Sequence, residues 1–289
     1  MLKKTEIDIK KVILESLEFF HRYNPGSALL RGAEALCFVK TDLIHPVLDI
    51  GCGDGAFGGL IVRLKQIMFD ESTKIDTGVD IRITKFRNSE AYHQVLETDA
   101  ISIPFPDEYF MTVISNCVME HIVDIEPTLE EINRVLKKGG KFYFTVPSDY
   151  FNGYFMFVQF FTNAAMLGIA DRLTKRRNRK LAHYHIYTVN AWRQILKRTG
   201  FRLINQQYII PQKMHRVAFL IFDFYNCGFG RIHIGDFIRA FELLTYKLFR
   251  IRPISLALGR LLQALFTLKD SDSMSSGAGF FLVAEKEQV

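Results

Sequence analysis

The chain has 289 residues, of which 48% are hydrophobic and 24% are charged. This balance is typical of a globular protein and excludes a disordered or collagen-like chain. The four cysteines form no Cys-x-x-Cys pair, which argues against a disulfide framework and a zinc ribbon and favours a reducing compartment. No apolar segment follows the charged first residues, so we expect no cleaved secretory signal and a cytoplasmic protein.

The net charge of +6 is unevenly distributed along the chain. Residues 1–148 carry 17 basic and 22 acidic side chains, whereas residues 149–289 carry 20 basic and 9 acidic ones. A basic second half predicts an anionic partner. The candidates are a membrane surface, a nucleic acid and a phosphate-bearing substrate.

Residues 1–45 have apolar side chains at helical spacing and predict an N-terminal helical cover. From residue 46, short apolar runs alternate with helical stretches, as in a parallel sheet made of βαβ units, so the fold class is α/β with one domain over 46–289. The predicted strands are 47–50, 76–81, 94–98, 111–116, 141–146, 201–210 and 280–285, and the best-marked helices are Pro127 to about Lys138 and Val189 to Thr199.

Two hydrophobic and basic segments interrupt this alternation, at about 149–182 and 211–275. Both are predicted to be helical insertions into the one domain, because a strand pattern returns after each. In the first, the stretch Phe151 to Ala170 carries no charge and precedes six basic residues. It is interpreted as an amphipathic helix lying on an anionic membrane surface, as a cap over the active site, or as a membrane span. Its recurring polar residues argue against the span.

The motif VLDIGCGDGAFG is the strongest signal in the chain. Gly51, Gly53 and Gly55 allow a tight turn from a buried strand into a helix and let the backbone approach a ligand closely. The spacing also fits the dinucleotide fingerprint G-x-G-x-x-G/A. However, Asp49 and Asp54 would repel a pyrophosphate, whereas they suit a cationic ligand.

This motif resembles the first motif of the class I, Rossmann-like methyltransferases that depend on S-adenosylmethionine. The segments GVDI, ETDAISIPFPDEYF, ISNCVMEHI and RVLKKGGKFYFTVPS match later motifs of that family in order. The resemblance runs from about 46 to 148, reappears at HYHIYTVNAWRQILKRTGF, and is closest in character to the type-11 and ubiquinone-biosynthesis methyltransferases. It implies a seven-stranded methyltransferase sheet and S-adenosylmethionine as the cofactor.

The resemblance also implies site residues. Asp80 corresponds to the acidic ribose-binding residue, and Asp99 to the residue near the adenine amino group. The predicted donor-binding residues are Asp49, Gly51, Cys52, Gly53, Gly55, Asp80, Ile81, Asp99, Ala100 and Asn116. The candidate catalytic bases are His121, just beyond the fourth strand, and His183 and His185, in a segment expected to close over the methyl group. Each histidine has the alternative of a capping or surface role.

Some relatives bind a divalent metal through Glu-x-x-Glu-His, where this chain has Cys117-x-x-Glu120-His121. Because a thiol replaces a hard oxygen ligand, we expect no metal. The aromatic insertions favour a small hydrophobic or lipid-linked acceptor, such as a quinone precursor, a polyprenyl-linked sugar or a lipid, and a protein peripheral to the inner face of a membrane. Two alternatives stay open: an RNA methyltransferase, although nucleic acid is the less favoured partner, and a catalytically silent, membrane-associated protein that binds S-adenosylmethionine.

Overall fold

A seven-stranded mixed sheet forms the centre of the protein. The computed structural model describes residues 9–20, 25–83, 86, 89–229, 232–249, 257, 260 and 274–287. The strands of this sheet are β1 (Val47–Ile50), β2 (Ile75–Asp80), β3 (Tyr92–Glu97), β4 (Phe110–Asn116), β5 (Leu136–Pro147), β6 (Phe201–Ile209) and β9 (Gly279–Lys286). A separate two-stranded hairpin consists of β7 (Gly228–Phe229) and β8 (Ile232–His233).

The strand order is β3-β2-β1-β4-β5-β9-β6. The strands from β3 to β5 pair in parallel, and β9 runs antiparallel between β5 and β6. The order of the chain reverses between β1 and β4. In open α/β sheets, ligands bind at the carboxyl ends of the strands beside such a reversal, so the topology places a site next to β1 and β4.

Helices cover both faces of the sheet. They are α1 (Ile9–Phe20), α2 (Pro25–Val39), α3 (Ala56–Phe69), α4 (Ile125–Val135), α5 (Met156–Asn163), α6 (Leu167–Leu181), α7 (Val189–Arg198), α8 (Gln212–Tyr225) and α9 (Ile234–Phe249). Neighbouring strand residues point to opposite faces: Val47 packs in the core under α1, α2 and α3, and Leu48 in the core under α4 and α7. Both cores are fully apolar at their centres, as the continuous hydrophobic strands require.

The N-terminal helices pack onto the domain as a cover. Helix α2 contacts both α3 and α8, and its Phe38 ring lies edge-on to Phe57 of α3 and to Phe281 of β9. Phe38 is completely buried. The cover therefore shares one hydrophobic core with the sheet. Residues 1–8 and 21–24 of the predicted cover lie outside the described residues.

The seven predicted strands are confirmed, but two predicted helices are wrong in their extents. The helix predicted from Pro127 to Lys138 ends at Val135, because buried Leu136 already pairs with Phe110 and begins β5. The single helix predicted over Phe151 to Ala170 is instead a short 3₁₀ turn, α5 and the start of α6. The break between α5 and α6 contains Ala165, whose φ of 57° is incompatible with a continuous right-handed helix.

Where it is described, the second predicted insertion forms α8 and α9, with the hairpin of β7 and β8 between them. Its residues 230–231, 250–256, 258–259 and 261–273 lie outside the described part of the chain. Among the described residues, no helix combines the length and the apolar character needed to cross a bilayer.

Close packing between α3 and β3 sets a stability requirement at Gly58. A Cβ atom at this position would lie 1.9 Å from the hydroxyl oxygen of Tyr92 and 2.8 Å from Cδ1 of Ile75. Tyr92 is itself buried and donates a hydrogen bond to Asp49. Any side chain at Gly58 must therefore displace a buried hydrogen-bonded ring.

We expect Gly58→Ala to lower the free energy of unfolding by about 1–3 kcal/mol, the usual cost of overpacking a core. Gly168→Ala is the matched control, because Gly168 is also helical and has no heavy atom within 4 Å of an added Cβ among the described residues. That control should gain about 0.5–1 kcal/mol from helix propensity. Urea unfolding measures both changes, and equal effects at the two glycines would contradict the steric argument.

Candidate active site

The turn after β1 packs tightly on one side and is open on the other. The amides of Gly51 and Cys52 both donate to the carbonyl oxygen of Val79, at 2.8 and 3.1 Å. Gly51 has a φ of 72°, and a Cβ there would lie 2.3 Å from Cγ2 of Val118. Gly53, by contrast, is exposed, and within the described structure nothing lies within 4 Å of an added Cβ. The open side leaves room for a ligand to approach the backbone.

Asp80 holds the ends of three strands together. Its Oδ2 accepts a hydrogen bond from the amide of Gly53 at 2.9 Å, and its Oδ1 accepts one from the amide of Arg82 at 2.9 Å. Its carbonyl oxygen accepts from the amide of Thr98 at 3.0 Å, which brings in the end of β3. The predicted donor residues that this arrangement brings together at the carboxyl ends of the strands are Gly51, Cys52, Gly53, Gly55, Asp80, Ile81, Asp99 and Ala100.

This edge of the sheet fits S-adenosylmethionine. The carboxylate of Asp80 can accept hydrogen bonds from ribose hydroxyls, and the open glycine turn allows close approach of an amino-acid portion. Asp99 and Ala100 lie at the exposed edge after β3, on the far side of Asp80 from the glycine turn. The donor set is therefore polar and partly acidic, as a cationic sulfonium ligand requires.

Two predicted donor residues occupy different positions from the rest. Asp49 is only 3% exposed and lies beneath the turn, where its Oδ2 accepts a hydrogen bond from the hydroxyl of Tyr92 at 2.5 Å. Burial raises the pKa of Asp49 to about 7, against the opposing effect of that hydrogen bond. Asn116 lies at the end of β4 and contacts the cover helix and β5. Its Nδ2 donates to Glu34 at 3.0 Å, and its Oδ1 accepts from Thr145 at 2.6 Å.

A buried polar cluster joins the cover helix α2 to the end of β4. Glu34 accepts hydrogen bonds from Arg31 at 2.5 Å, from Asn116 at 3.0 Å and from the Cys117 thiol at 3.4 Å. Glu34 is 3% exposed, so the pairing with Arg31 and the amide offsets the cost of burying its charge. Arg31 and Glu34 are not predicted from the sequence as site residues, because the helical spacing of residues 1–45 indicates only a cover.

Next to this cluster lies a cavity of about 200 Å³. Its walls come from α2, from the ends of β5 and β6, from the start of β9 and from α8. Most of the lining is apolar, and the polar side chains gather at one end. The lining includes Arg31, Glu120, His121, Leu181, His183 and Phe219.

Two of the three predicted histidines line this cavity. The His121 and His183 rings lie with their centroids 5.2 Å apart, and Nδ1 of His121 is 3.0 Å from the carbonyl oxygen of Ala182. A carbonyl only accepts, so Nδ1 carries the proton and Nε2 holds the free lone pair. That Nε2 atom is 3.9 Å from Oε1 of Glu120. His121 thus presents a base beside the buried acid.

His185 is not among the described residues that line the cavity. Its ring lies 5.0 Å from the ring of Tyr187, which in turn lies 5.6 Å from Trp192 of α7. Residues 183–188 form neither a helix nor a strand. Tyr187 packs against the core under α4 and α7, so the ring contact with Tyr187 directs His185 towards that core.

Burial keeps the cavity's titratable groups mostly uncharged. Desolvation raises the pKa of Glu120 to about 8, lowers that of His121, and lowers that of His183 to about 4. A further buried histidine, His215 of α8, was not predicted, and desolvation lowers its pKa to about 3. At neutral pH the cavity therefore contains one ion pair, Arg31 with Glu34, among neutral polar groups and apolar walls.

One ligand atom from each of Glu120, His121 and His183 lies within 4.8 Å of the other two. This geometry is compatible with a metal ion held by one oxygen and two nitrogens. Cys117, which replaces the acid of the Glu-x-x-Glu-His pattern, instead donates to Glu34. The sequence-based expectation of no metal stays a prediction.

A known family matches this chain over residues 14–206, and its description is methyltransferase domain. The chain belongs to this family. The match begins in α1 and ends in β6, so it includes most of the described cover, the glycine turn and the cavity-lining residues that follow β4. Membership confirms the predicted class, an S-adenosylmethionine-dependent methyltransferase, and S-adenosylmethionine as its cofactor.

Several curated proteins are similar over part of the chain. A demethylmenaquinone methyltransferase of Symbiobacterium thermophilum is 29% identical over 143 residues, which cover 46% of this chain and 55% of that protein. An uncharacterized methyltransferase of Mycobacterium bovis is 31% identical over 94 residues, or 32% of this chain and 46% of that protein. A fatty-acid O-methyltransferase of Mycolicibacterium smegmatis is 33% identical over 101 residues, or 34% of this chain and 36% of that protein. The chain thus matches about half or less of the length of these relatives.

Solved structures share the fold. An S-adenosylmethionine-dependent methyltransferase of Thermotoga maritima has a TM-score of 0.52 at 14% identity, covering 96% of this chain and 99% of the other. Phosphoethanolamine N-methyltransferase 2 of Haemonchus contortus, solved in complex with S-adenosyl-L-methionine, has a TM-score of 0.50 at 16% identity, covering 96% and 57%. The predicted Rossmann-like, seven-stranded α/β fold is confirmed.

The raised pKa of Asp49 predicts a pH-dependent stability. Between the ordinary pKa of 3.8 and about 7, the folded state holds a proton that the unfolded state has lost, so the free energy of unfolding falls as pH rises. Asp49→Asn removes this dependence, on the order of 4 kcal/mol across the window. Glu120 contributes a loss of the same sign, so the slope should become shallower without vanishing.

Guanidinium unfolding at a series of pH values from 4 to 8 measures this slope. Asp42→Asn is the control, because Asp42 is an exposed acid on the connection between α2 and β1. Stability curves that remain parallel for wild type and Asp49→Asn would contradict the assignment.

Proposed function

We propose that this protein transfers a methyl group from S-adenosylmethionine to a hydroxyl of a small hydrophobic or lipid-linked acceptor held in the cavity. A quinone precursor, a polyprenyl-linked sugar and a lipid all have this chemistry. The observation that carries the proposal is the position of His121, whose uncharged Nε2 lies beside the apolar cavity at the end of β4. The similar fatty-acid and demethylmenaquinone methyltransferases act, by their names, on hydrophobic molecules, which supports the acceptor class.

The segment after β4 contributes to both the donor edge and the cavity. Val118 lies where Gly51 would carry a Cβ, and the neighbouring Cys117 and Glu120 line the cavity. S-adenosylmethionine supplies a methyl group on a sulfonium, and the acceptor attacks that methyl group in line with its bond to sulfur. The chain's task is then to align donor and acceptor and to exclude water. Tight packing at Gly51 fixes the glycine turn against the segment that lines the cavity.

The acceptor's proton needs a base, and His121 is placed to take it. Its Nδ1–H is bound to the carbonyl oxygen of Ala182, which fixes the ring and leaves Nε2 to accept. Burial lowers the pKa of His121 below its usual 6.5, so the ring is neutral and able to accept at pH 7. Nε2 of the ring lies 3.9 Å from Oε1 of Glu120, whose carboxyl is mostly protonated at pH 7 because burial raises its pKa to about 8.

The polar end of the cavity suits an uncharged acceptor head. Arg31 is already paired with Glu34, and burial of a second carboxyl, Glu120, favours its neutral form. An acceptor hydroxyl placed there finds both hydrogen-bond donors and acceptors, while its apolar remainder contacts Leu181 and Phe219. A highly charged acceptor would have to lose its hydration in an apolar cavity without a free counter-ion among the lining residues described.

The proposed activity predicts label transfer from tritiated S-adenosylmethionine into the lipid or quinone fraction of a cell extract.

Asp80→Ala should reduce donor affinity at least tenfold, because the variant loses the carboxylate beside the glycine turn. The fold should survive this change, because the Gly53 amide that loses its partner is exposed and water can replace the lost hydrogen bond. Calorimetry with S-adenosylhomocysteine measures the affinity, with Asp42→Ala as the control. Label that enters only RNA would overturn the acceptor class, and donor binding without any transfer would favour a silent binding protein.

A second prediction concerns the base. His121→Asn keeps a side-chain N–H that can reach the Ala182 carbonyl but removes Nε2, so kcat should fall about 10²–10⁴-fold while donor affinity stays unchanged. In the wild type, the rate should decline only as pH falls below about 6.5, because His121 must be neutral and its pKa is lowered. His185→Asn is the matched control, and an equal loss of kcat in both variants would remove His121 from the mechanism.

A further inference from the structure

Helix α5 leaves two large aromatic side chains in solvent although it also has a buried face. Val158 packs in the core, and the polar Gln159 accepts hydrogen bonds at its Oε1 from Arg216 and from Gln212 of α8. The outward side carries Phe157, 72% exposed, and Phe160, 63% exposed. Folding of the described residues therefore leaves these two aromatic rings uncovered.

The neighbouring helices continue the same apolar surface. On α8, Leu220 and Phe224 are one helical turn apart and both more than half exposed. Helix α9 packs against α8 and exposes Phe237 and Leu244. We name this apolar surface of α5, α8 and α9 the aromatic face. The α5 and α8 parts adjoin, because Phe157 and Leu220 line one groove. Exposed apolar area of this kind marks an interaction surface.

Basic side chains flank the aromatic face. Helix α6 packs on α5 and carries six basic residues against one acid, Asp171, which pairs with Lys175 at 2.9 Å. Arg177 bonds to Asp223 at 3.2 Å and lies over the Phe155 ring at 3.9 Å, so it holds α6 against α8. The remaining exposed basic residues of α6 are Arg172, Arg176, Arg179 and Lys180.

A groove lies between this surface and the cavity. It has a volume of about 370 Å³ and lies between α5, α6 and α8, with Phe157 and Leu220 at its apolar side and Arg176 and Lys180 at its rim. The groove and the cavity share three lining residues, Leu181, Phe219 and Phe222. The two spaces are thus separated by single side chains, and together they reach the size typical of sites for small hydrophobic molecules, about 300–1,000 Å³.

We propose that the aromatic face and the four exposed cations of α6 dock this protein on a lipid bilayer that contains anionic lipids, with the groove facing the bilayer. Aromatic side chains enter the interface between head groups and acyl chains, and the cations pair with anionic head groups. This arrangement would deliver a hydrophobic acceptor to the cavity without passage through water. That last role rests on the proposed function, whereas the docking does not.

Co-sedimentation of the full chain with vesicles tests the proposal. We expect strong binding to vesicles of equal parts phosphatidylcholine and phosphatidylglycerol, and much weaker binding to phosphatidylcholine alone. Raising the salt from 0.1 to 1 M shortens the Debye length from about 10 to about 3 Å, so most binding should be lost and an apolar remainder should persist. The triple variant Phe157→Asn, Phe160→Asn and Phe224→Asn should lose that remainder.

The cationic contribution is tested with Arg176→Gln, Arg179→Gln and Lys180→Gln combined. Each cation near an anionic surface contributes about fivefold, so the affinity should fall about 100-fold. Lys74→Gln, Lys138→Gln and Lys197→Gln remove the same charge from exposed positions outside α5, α6, α8 and α9, and should change binding little. Affinity for S-adenosylhomocysteine should be unchanged in the phenylalanine variant, the α6 variant and the three-lysine control. This result separates the docking test from the proposed methyl transfer.

Equal losses of vesicle affinity in the α6 triple variant and in the three-lysine control would overturn the proposal, because net charge rather than the α6 surface would then govern binding. It would equally be overturned by absence of vesicle binding, or by a protein that binds poly(U) RNA but not vesicles. A stable dimer whose formation buries the aromatic face, seen by sedimentation in the absence of lipid, would also overturn it.

Discussion

The close contact between the turn after β1 and the segment after β4 is the constraint on which the site depends. Gly51 has room for no side chain, because Val118 lies where its Cβ would be. This packing holds the donor edge next to the segment that lines the cavity. It follows from the strand order, since β1 and β4 are neighbours at the reversal of the sheet.

The support beneath that contact is polar and buried, which makes it sensitive to pH. Asp49 and Tyr92 form one hydrogen bond under the turn, and Glu34 binds Arg31 and Asn116 beside the cavity. Both groups lie where a charge is costly unless it is partnered. The cover helix α2 supplies two members of the second group, so the N-terminal segment contributes to the cavity itself as well as to the core.

The molecule also combines a largely apolar cavity, polar at one end, with an exposed apolar surface. The cavity keeps its histidines neutral by burial, whereas helices α5, α8 and α9 leave large aromatic side chains in solvent. Leu181, Phe219 and Phe222 lie between the two regions. A hydrophobic acceptor could thus remain in contact with apolar groups from the surface to the reacting end, which is the physical link between the proposed function and the proposed docking.

The sequence by itself determined the sheet and the donor edge, because both depend on local patterns: continuous apolar runs of strand length and glycines that permit a tight turn. It placed Asp80 correctly at the end of β2. Only the tertiary structure decided the acceptor side, where Arg31, His121 and His215 come together from α2, the β4 end and α8. These residues are separated by up to 184 positions, and a helical pattern in one segment contains no information about what it faces in another. For the same reason the sequence groups His185 with His183, although the ring of His185 lies against Tyr187 and does not line the cavity.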